Sequence, residues 1–143
     1  MTALRQPYYE LSTEATQALL ATKAALEHGP LGKAMVELLY LRVSQINGCA
    51  YCLEKHSQSL REEGVPQVKL DSLAGWRVSG HFDERERAAL AWAESLSDIT
   101  RSHAADEDYL PLETHFSPRE ISDLTIAVAL MSGLNRLAIG MRL

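Results

Sequence analysis

Leu31-Gly32-Lys33-Ala34-Met35-Val36-Glu37-Leu38-Leu39-Tyr40-Leu41-Arg42-Val43-Ser44-Gln45-Ile46-Asn47-Gly48-Cys49-Ala50-Tyr51-Cys52-Leu53-Glu54-Lys55-His56 reads as one helix, a break and the start of the next. Leu31, Met35, Leu38, Leu39 and Ile46 recur at helical spacing and predict a helix over about 31–46. Asn47-Gly48 ends it, since glycine adopts the left-handed conformations a sharp turn needs. A further helix begins near Cys49 and continues to Glu63, where Gly64 supplies a C-terminal stop.

Outward from this stretch the chain keeps the helical period. Ser12 is placed to cap a helix over about 13–28, with Ala15, Ala18, Leu19, Thr22, Ala25 and Leu26 on one stripe, and Gly29-Pro30 ends it. Pro66 opens a short helix that ends near Gly75. Asp83 and Glu86 form a capping box for a helix to about Ser97. The polar stretch from Ile99 to Asp108 reads as a loop, followed by a short helix to His115 in which Pro111 suits only the first turn. Ser117-Pro118-Arg119-Glu120 starts the last helix, running to about Gly140 with Ile121, Leu124, Thr125, Val128, Met131, Ser132 and Asn135 along one stripe. No alternating pattern long enough for a strand and no dividing linker is found. The expectation is an all-α, compact helical bundle forming a single domain over residues 1–143.

The length of 143 residues suffices for a core without disulfide staples. A net charge of -5 argues against nucleic acid or an anionic membrane as partner, because both need clustered Lys and Arg. The first residues, Met1 to Tyr9, lack the apolar stretch of a signal peptide, and no apolar run approaches the roughly 20 residues that span a bilayer. A soluble, cytoplasmic protein is expected. In a reducing compartment a lone pair of cysteines points to catalysis or metal binding rather than to structure.

Cys49 and Cys52 are that pair. Three residues apart at a helix start, they lie on one face with Cβ atoms about 5–6 Å apart. A disulfide needs about 3.8 Å, which a modest adjustment of the first turn supplies. The free N–H groups and dipole of that turn favour a thiolate. His56 follows Cys52 by four residues, one helical turn, and an imidazole is a workable base near neutral pH. Glu37 stands inside the apolar run Met35 to Leu41 and is either solvent-facing or aimed at a polar group inside. If the two helices form a hairpin about Asn47-Gly48, Glu37 lies near His56, where a carboxylate would orient the imidazole.

Glu37, Cys49, Cys52 and His56 at this spacing resemble the signature of the alkylhydroperoxidase D-type proteins of the carboxymuconolactone decarboxylase-like superfamily. The resemblance extends more loosely through Gly64-Val65, the Asp83 to Leu96 helix and the segment from Phe116 to Leu137. It implies an all-helical fold assembling as a homotrimer or homohexamer, and a thiol-dependent hydroperoxide reductase or disulfide oxidoreductase of antioxidant defence. It further implies Cys52 as the cysteine that attacks peroxide, Cys49 as its more exposed resolving partner, and Glu37 and His56 as a proton relay. No bound cofactor is implied; the partners would be a hydroperoxide and a dithiol electron donor such as a lipoyl- or thioredoxin-type protein. One departure stands inside the pair: Tyr51 occupies the place where studied peroxidase members carry a second histidine, and tyrosine is a poor base at neutral pH.

Other readings stay open. Cys49, Cys52 and His56 could supply three zinc ligands with His28, His81, His103 or His115 as a fourth, although none of those stands at finger-like spacing. The pair could serve a non-enzymatic redox sensor. The decarboxylase chemistry of the wider superfamily would leave the cysteines unexplained. Trp76 and Trp92 read as packing residues, Asn135-Arg136 as a subunit contact or a buried ion pair, and Tyr8-Tyr9 as an arm onto a neighbouring subunit.

Overall fold

Residues 3–143 are described by a computed structural model. Its helices are α1 (Tyr8–Leu11), α2 (Thr13–Glu27), α3 (Lys33–Asn47), α4 (Ala50–Glu62), α5 (Gln67–Asp71), α6 (Glu84–Ser97), α7 (Ile99–Ser102), α8 (Asp106–His115) and α9 (Pro118–Met141), with a 3-10 segment at Leu73–Val78. Among the described residues there is no strand, and the fold is all-α.

The run from Met35 to Leu41 is buried without interruption, which makes α3 the central helix. Over this stretch the helix has no solvent face, and α3 is accordingly packed by α4, α6 and α9. Gly48 takes φ +69° and lets the chain fold back into α4 within two residues. The buried positions of α4 are Cys52, His56 and Leu60, each one turn after the last, so its inner face carries two reactive side chains above one leucine.

Two helix starts are fixed by short-range chemistry. Asp83 accepts the Glu86 N–H at 2.8 Å while Glu86 accepts the Asp83 N–H at 3.1 Å, and Ser117 and Glu120 exchange the equivalent pair at the head of α9. By length and composition α9 could cross a membrane, contrary to the sequence expectation that no run is long enough. Its stripe Ile121, Leu124, Val128, Met131 and Asn135 is instead buried against the other helices.

Several local expectations are corrected. Pro111 lies well inside α8 rather than in its first turn. Pro111 and Glu107 are both exposed, so the carbonyl freed by the missing N–H remains open to water. Residues 99–102 form a short helix, not a loop, and the left-handed residues His103 and Ala104 end it. Ile46 is 40% exposed, and of the α2 stripe only Leu26 is fully buried. Asn135 makes neither an ion pair nor a surface contact. It accepts from Asn47 Nδ2 at 3.0 Å and donates to Ser44 Oγ at 3.1 Å, tying α9 to the end of α3 just before the Gly48 turn. Arg136 is exposed and donates to the Ser132 carbonyl.

Glu94 on α6 joins three elements that the sequence does not connect. It accepts from Trp76 Nε1 at 2.7 Å, from Arg42 Nε at 3.0 Å and from Arg77 Nη2 at 2.9 Å. Burial pushes its carboxyl up, but the hydrogen bonds from Trp76, Arg77 and Arg42 more than offset this and hold it below the ordinary value of 4.5. A lowered folded-state value means that the stabilisation is complete above the ordinary glutamate range and is lost as pH falls through the folded value. Glu94→Gln is therefore expected to cost about 1–3 kcal/mol at pH 7. It should also flatten the fall of Tm with pH below about 4.5, measured by thermal melts across an acid series.

Candidate functional site

Cys49 is the N-cap of α4, and its sulfur accepts the Cys52 backbone N–H at 3.4 Å. The two cysteines are joined as a disulfide, with Cα atoms 5.3 Å apart. A CxxC pair meets most readily at a helix start, where the first turn is not yet locked by its own hydrogen bonds.

One turn further along α4, His56 is 7% exposed and its Nδ1–H donates to Glu37 Oε2 at 2.6 Å. Glu37 is 1% exposed and thus points inward, which decides between the two orientations its sequence context allows. An ionised carboxylate at this depth needs partners. It has His56 on one side and, at 3.7 Å, the ammonium of Lys23 from α2 on the other. Lys23 is shared with Glu27, one turn along its own helix. A carboxylate partner fixes the histidine proton on Nδ1 and leaves Nε2 for proton exchange.

The Tyr40 ring stands 5.2 Å from the His56 ring, and the Lys23 ammonium lies over the Tyr40 ring at 5.9 Å from its centroid. Burial, followed by the charges of Glu27 and Glu37, pushes the Tyr40 hydroxyl far above its ordinary range, so it stays a neutral wall of the site.

A cavity of about 600 Å³ opens beside these groups. Glu37, Cys52 and His56 line it, together with Tyr8, Tyr9, Tyr51 and the α9 residues Met131 and Leu134. Cys49 is not on its wall and is 1% exposed against 5% for Cys52. The expectation that Cys49 is the more exposed of the two is therefore corrected: its capping position turns the sulfur back over the first turn of α4, away from the cavity.

All four residues singled out by spacing thus come together at the α3–α4 hairpin. Tyr8 and Tyr9 line the cavity of their own chain, and Tyr9 is also 40% exposed. Sequence reasoning missed Lys23 and Met131, which reach the site from α2 and α9 through tertiary packing, and Lys55, which shares α4 with Cys52 and His56. His28 closes α2, its Nδ1 bonded to the Ala24 carbonyl, while His81 and His103 are exposed and His115 is half-buried at the end of α8. Among the described residues no group of three or more His, Cys, Asp and Glu side chains is arranged to hold a metal ion, and the zinc grouping drawn from the sequence is not assembled.

Residues 12–95, more than half of the chain, match the family model of the carboxymuconolactone decarboxylase family. A solved structure from Agrobacterium tumefaciens, of a protein of unknown function suggested to be the antioxidant defence protein AhpD, superposes with a TM-score of 0.93 at 33% identity, covering 98% of this chain and 96% of that one. The uncharacterized protein YdfG of Bacillus subtilis is 27% identical over 137 residues, 96% of this chain and 93% of the relative. The alkyl hydroperoxide reductase AhpD of Nocardia farcinica is 61% identical over 42 residues, only 29% of this chain and 24% of that protein. With a family match over most of its first two thirds and a near-complete structural counterpart, the chain belongs to the carboxymuconolactone decarboxylase family and is an AhpD-like member of that superfamily.

Proposed function

We propose that this chain is a thiol-dependent hydroperoxide reductase, with Cys52 as the attacking cysteine, Cys49 as the resolving one and His56, held by Glu37, as the proton carrier. The observation that carries the reading is the buried Glu37–His56 pair at 2.6 Å, one helical turn from a cysteine pair, with Cys52 and His56 on the wall of one cavity. The alkyl hydroperoxide reductases among the relatives support the reaction class.

In the reduced protein the Cys52 thiolate attacks the hydroperoxide, the O–O bond breaks, and His56 delivers a proton to the departing oxygen. The products are an alcohol, or water from hydrogen peroxide, and a sulfenic acid on Cys52. The Cys49 thiolate then attacks the Cys52 sulfur, the S–O bond breaks and the oxygen leaves as water. The resulting disulfide is the state found here. A dithiol donor of lipoyl or thioredoxin type returns two electrons. One donor thiolate attacks a sulfur of the pair, and its second thiol then releases the mixed disulfide as oxidised donor. A donor entering by the cavity meets Cys52, so Cys49 is the leaving sulfur, and the Cys52 N–H stabilises the thiolate it becomes.

Steady-state reduction of cumene hydroperoxide with lipoyl, thioredoxin and glutathione donors in parallel tests this. The expected result is consumption of one peroxide per dithiol oxidised, with the dithiol donors faster than glutathione. A pair that oxidises and reduces reversibly without sustained consumption by any donor would instead establish a redox sensor.

A further inference from the structure

The cavity is larger and more apolar than hydrogen peroxide requires. A volume of about 600 Å³ falls in the range that encloses organic ligands. Leu20, Tyr51, Met131 and Leu134 give it apolar walls, while the reacting groups Cys52 and His56 share its lining.

Two cations stand on the same wall, and their situations differ. Lys23 is engaged by Glu27 and Glu37 and serves the buried carboxylate. Lys55 is exposed, and among the described residues no carboxylate lies within ion-pair distance of it. Its ammonium stands 5.6 Å from the centre of the Tyr51 ring, which is itself 41% exposed and on the cavity wall. Lys55 follows Cys52 by three residues on α4, so both side chains belong to neighbouring positions on one side of that helix. The one acidic side chain among the described lining residues, Glu37, is buried and already paired.

An apolar chamber with a redox-active sulfur on its wall and an exposed, unmatched cation on the same wall suits one kind of molecule. We infer that the cavity selects hydroperoxides borne on an apolar chain that ends in a carboxylate, and that Lys55 is the residue that holds the carboxylate. This rests on the hydroperoxide reading and gives it a substrate class: fatty-acid hydroperoxides rather than their neutral esters or hydrogen peroxide. The ring of Tyr51 restrains the lysine by cation–π attraction and keeps it on the cavity wall.

The hydroperoxide of linoleic acid and that of its methyl ester, each below its micelle concentration, separate charge from chain length. The ratio of kcat/KM for acid over ester is expected to be about fivefold, the size of one exposed charge pair, and to shrink as salt is raised. Lys55→Met should bring the ratio to about one, and Lys55→Arg should restore it. Equilibrium binding of linoleate and methyl linoleate to the oxidised protein measures the same discrimination without turnover. A wild-type ratio near one, or a ratio that survives Lys55→Met, overturns the inference. Lys55-dependent preference for linoleate in binding, in a protein that turns over no hydroperoxide, would uphold the carboxylate site and overturn only the peroxidase reading.

Discussion

Cys52→Ser is expected to abolish peroxide-dependent oxidation of the dithiol donor, a loss of roughly 10³-fold or more. A serine hydroxyl is not ionised at neutral pH and cannot break the O–O bond. Cys49→Ser is expected to behave differently. It leaves the attacking sulfur in the cavity, so one equivalent of peroxide is consumed and then the cycle stops. The product is a sulfenic acid on Cys52, which dimedone traps and mass spectrometry locates. The two variants share a dead steady state but differ in the first turnover. If the roles were reversed, Cys52→Ser would retain the single turnover and Cys49→Ser would lose it. The cavity wall favours the first pattern, because Cys52 lies on it and Cys49 does not.

Glu37→Gln is expected to lower kcat/KM for peroxide by about 10–100-fold, the usual effect of removing the group that orients a working imidazole. The amide can still accept from His56 Nδ1, but it holds the ring less strongly than a carboxylate does. Stability should follow another course. Glu37→Leu strands the buried His56 Nδ1–H and should cost about 1–3 kcal/mol. Replacing the pair together, Glu37→Leu with His56→Leu, removes both polar groups from a site that is 1% and 7% exposed. Buried ion pairs are often matched or bettered by apolar residues of similar size. The double variant is therefore expected to melt at or above the wild-type Tm with no peroxidase activity. A double variant much less stable than Glu37→Leu would make the pair a structural element.

The helix starts were open to sequence reading because their chemistry is local. Asp83 with Glu86 and Ser117 with Glu120 need only four consecutive residues to satisfy one another. Glu37 was not decidable in the same way. Every residue from Met35 to Leu41 is buried, so the run has no polar face against which a carboxylate's direction can be read. Its direction is set by α4 on one side and by Lys23 of α2 on the other, both distant in sequence. The spacing of Cys49, Cys52 and His56 placed them on one helix, yet it could not tell which sulfur meets the cavity. That depends on α9 and the Tyr8–Tyr9 segment, which build the facing wall. Asn135 was visible as a polar residue in an apolar stripe, but its partners Ser44 and Asn47 come from α3 and give no sign of the match in sequence.

The sulfur of Cys49 also serves as the cap of α4. A thiolate accepts a hydrogen bond more strongly than a disulfide sulfur does, so the first turn of α4 is better held when Cys49 is reduced and ionised. By thermodynamic linkage, whatever free energy the helix gains from that stronger cap also biases the couple toward its dithiol form. The ring the disulfide closes spans only four residues and restrains little of the unfolded chain. The oxidised pair is thus a weak brace for the fold, and the helix it opens bears on the balance between its oxidised and reduced forms.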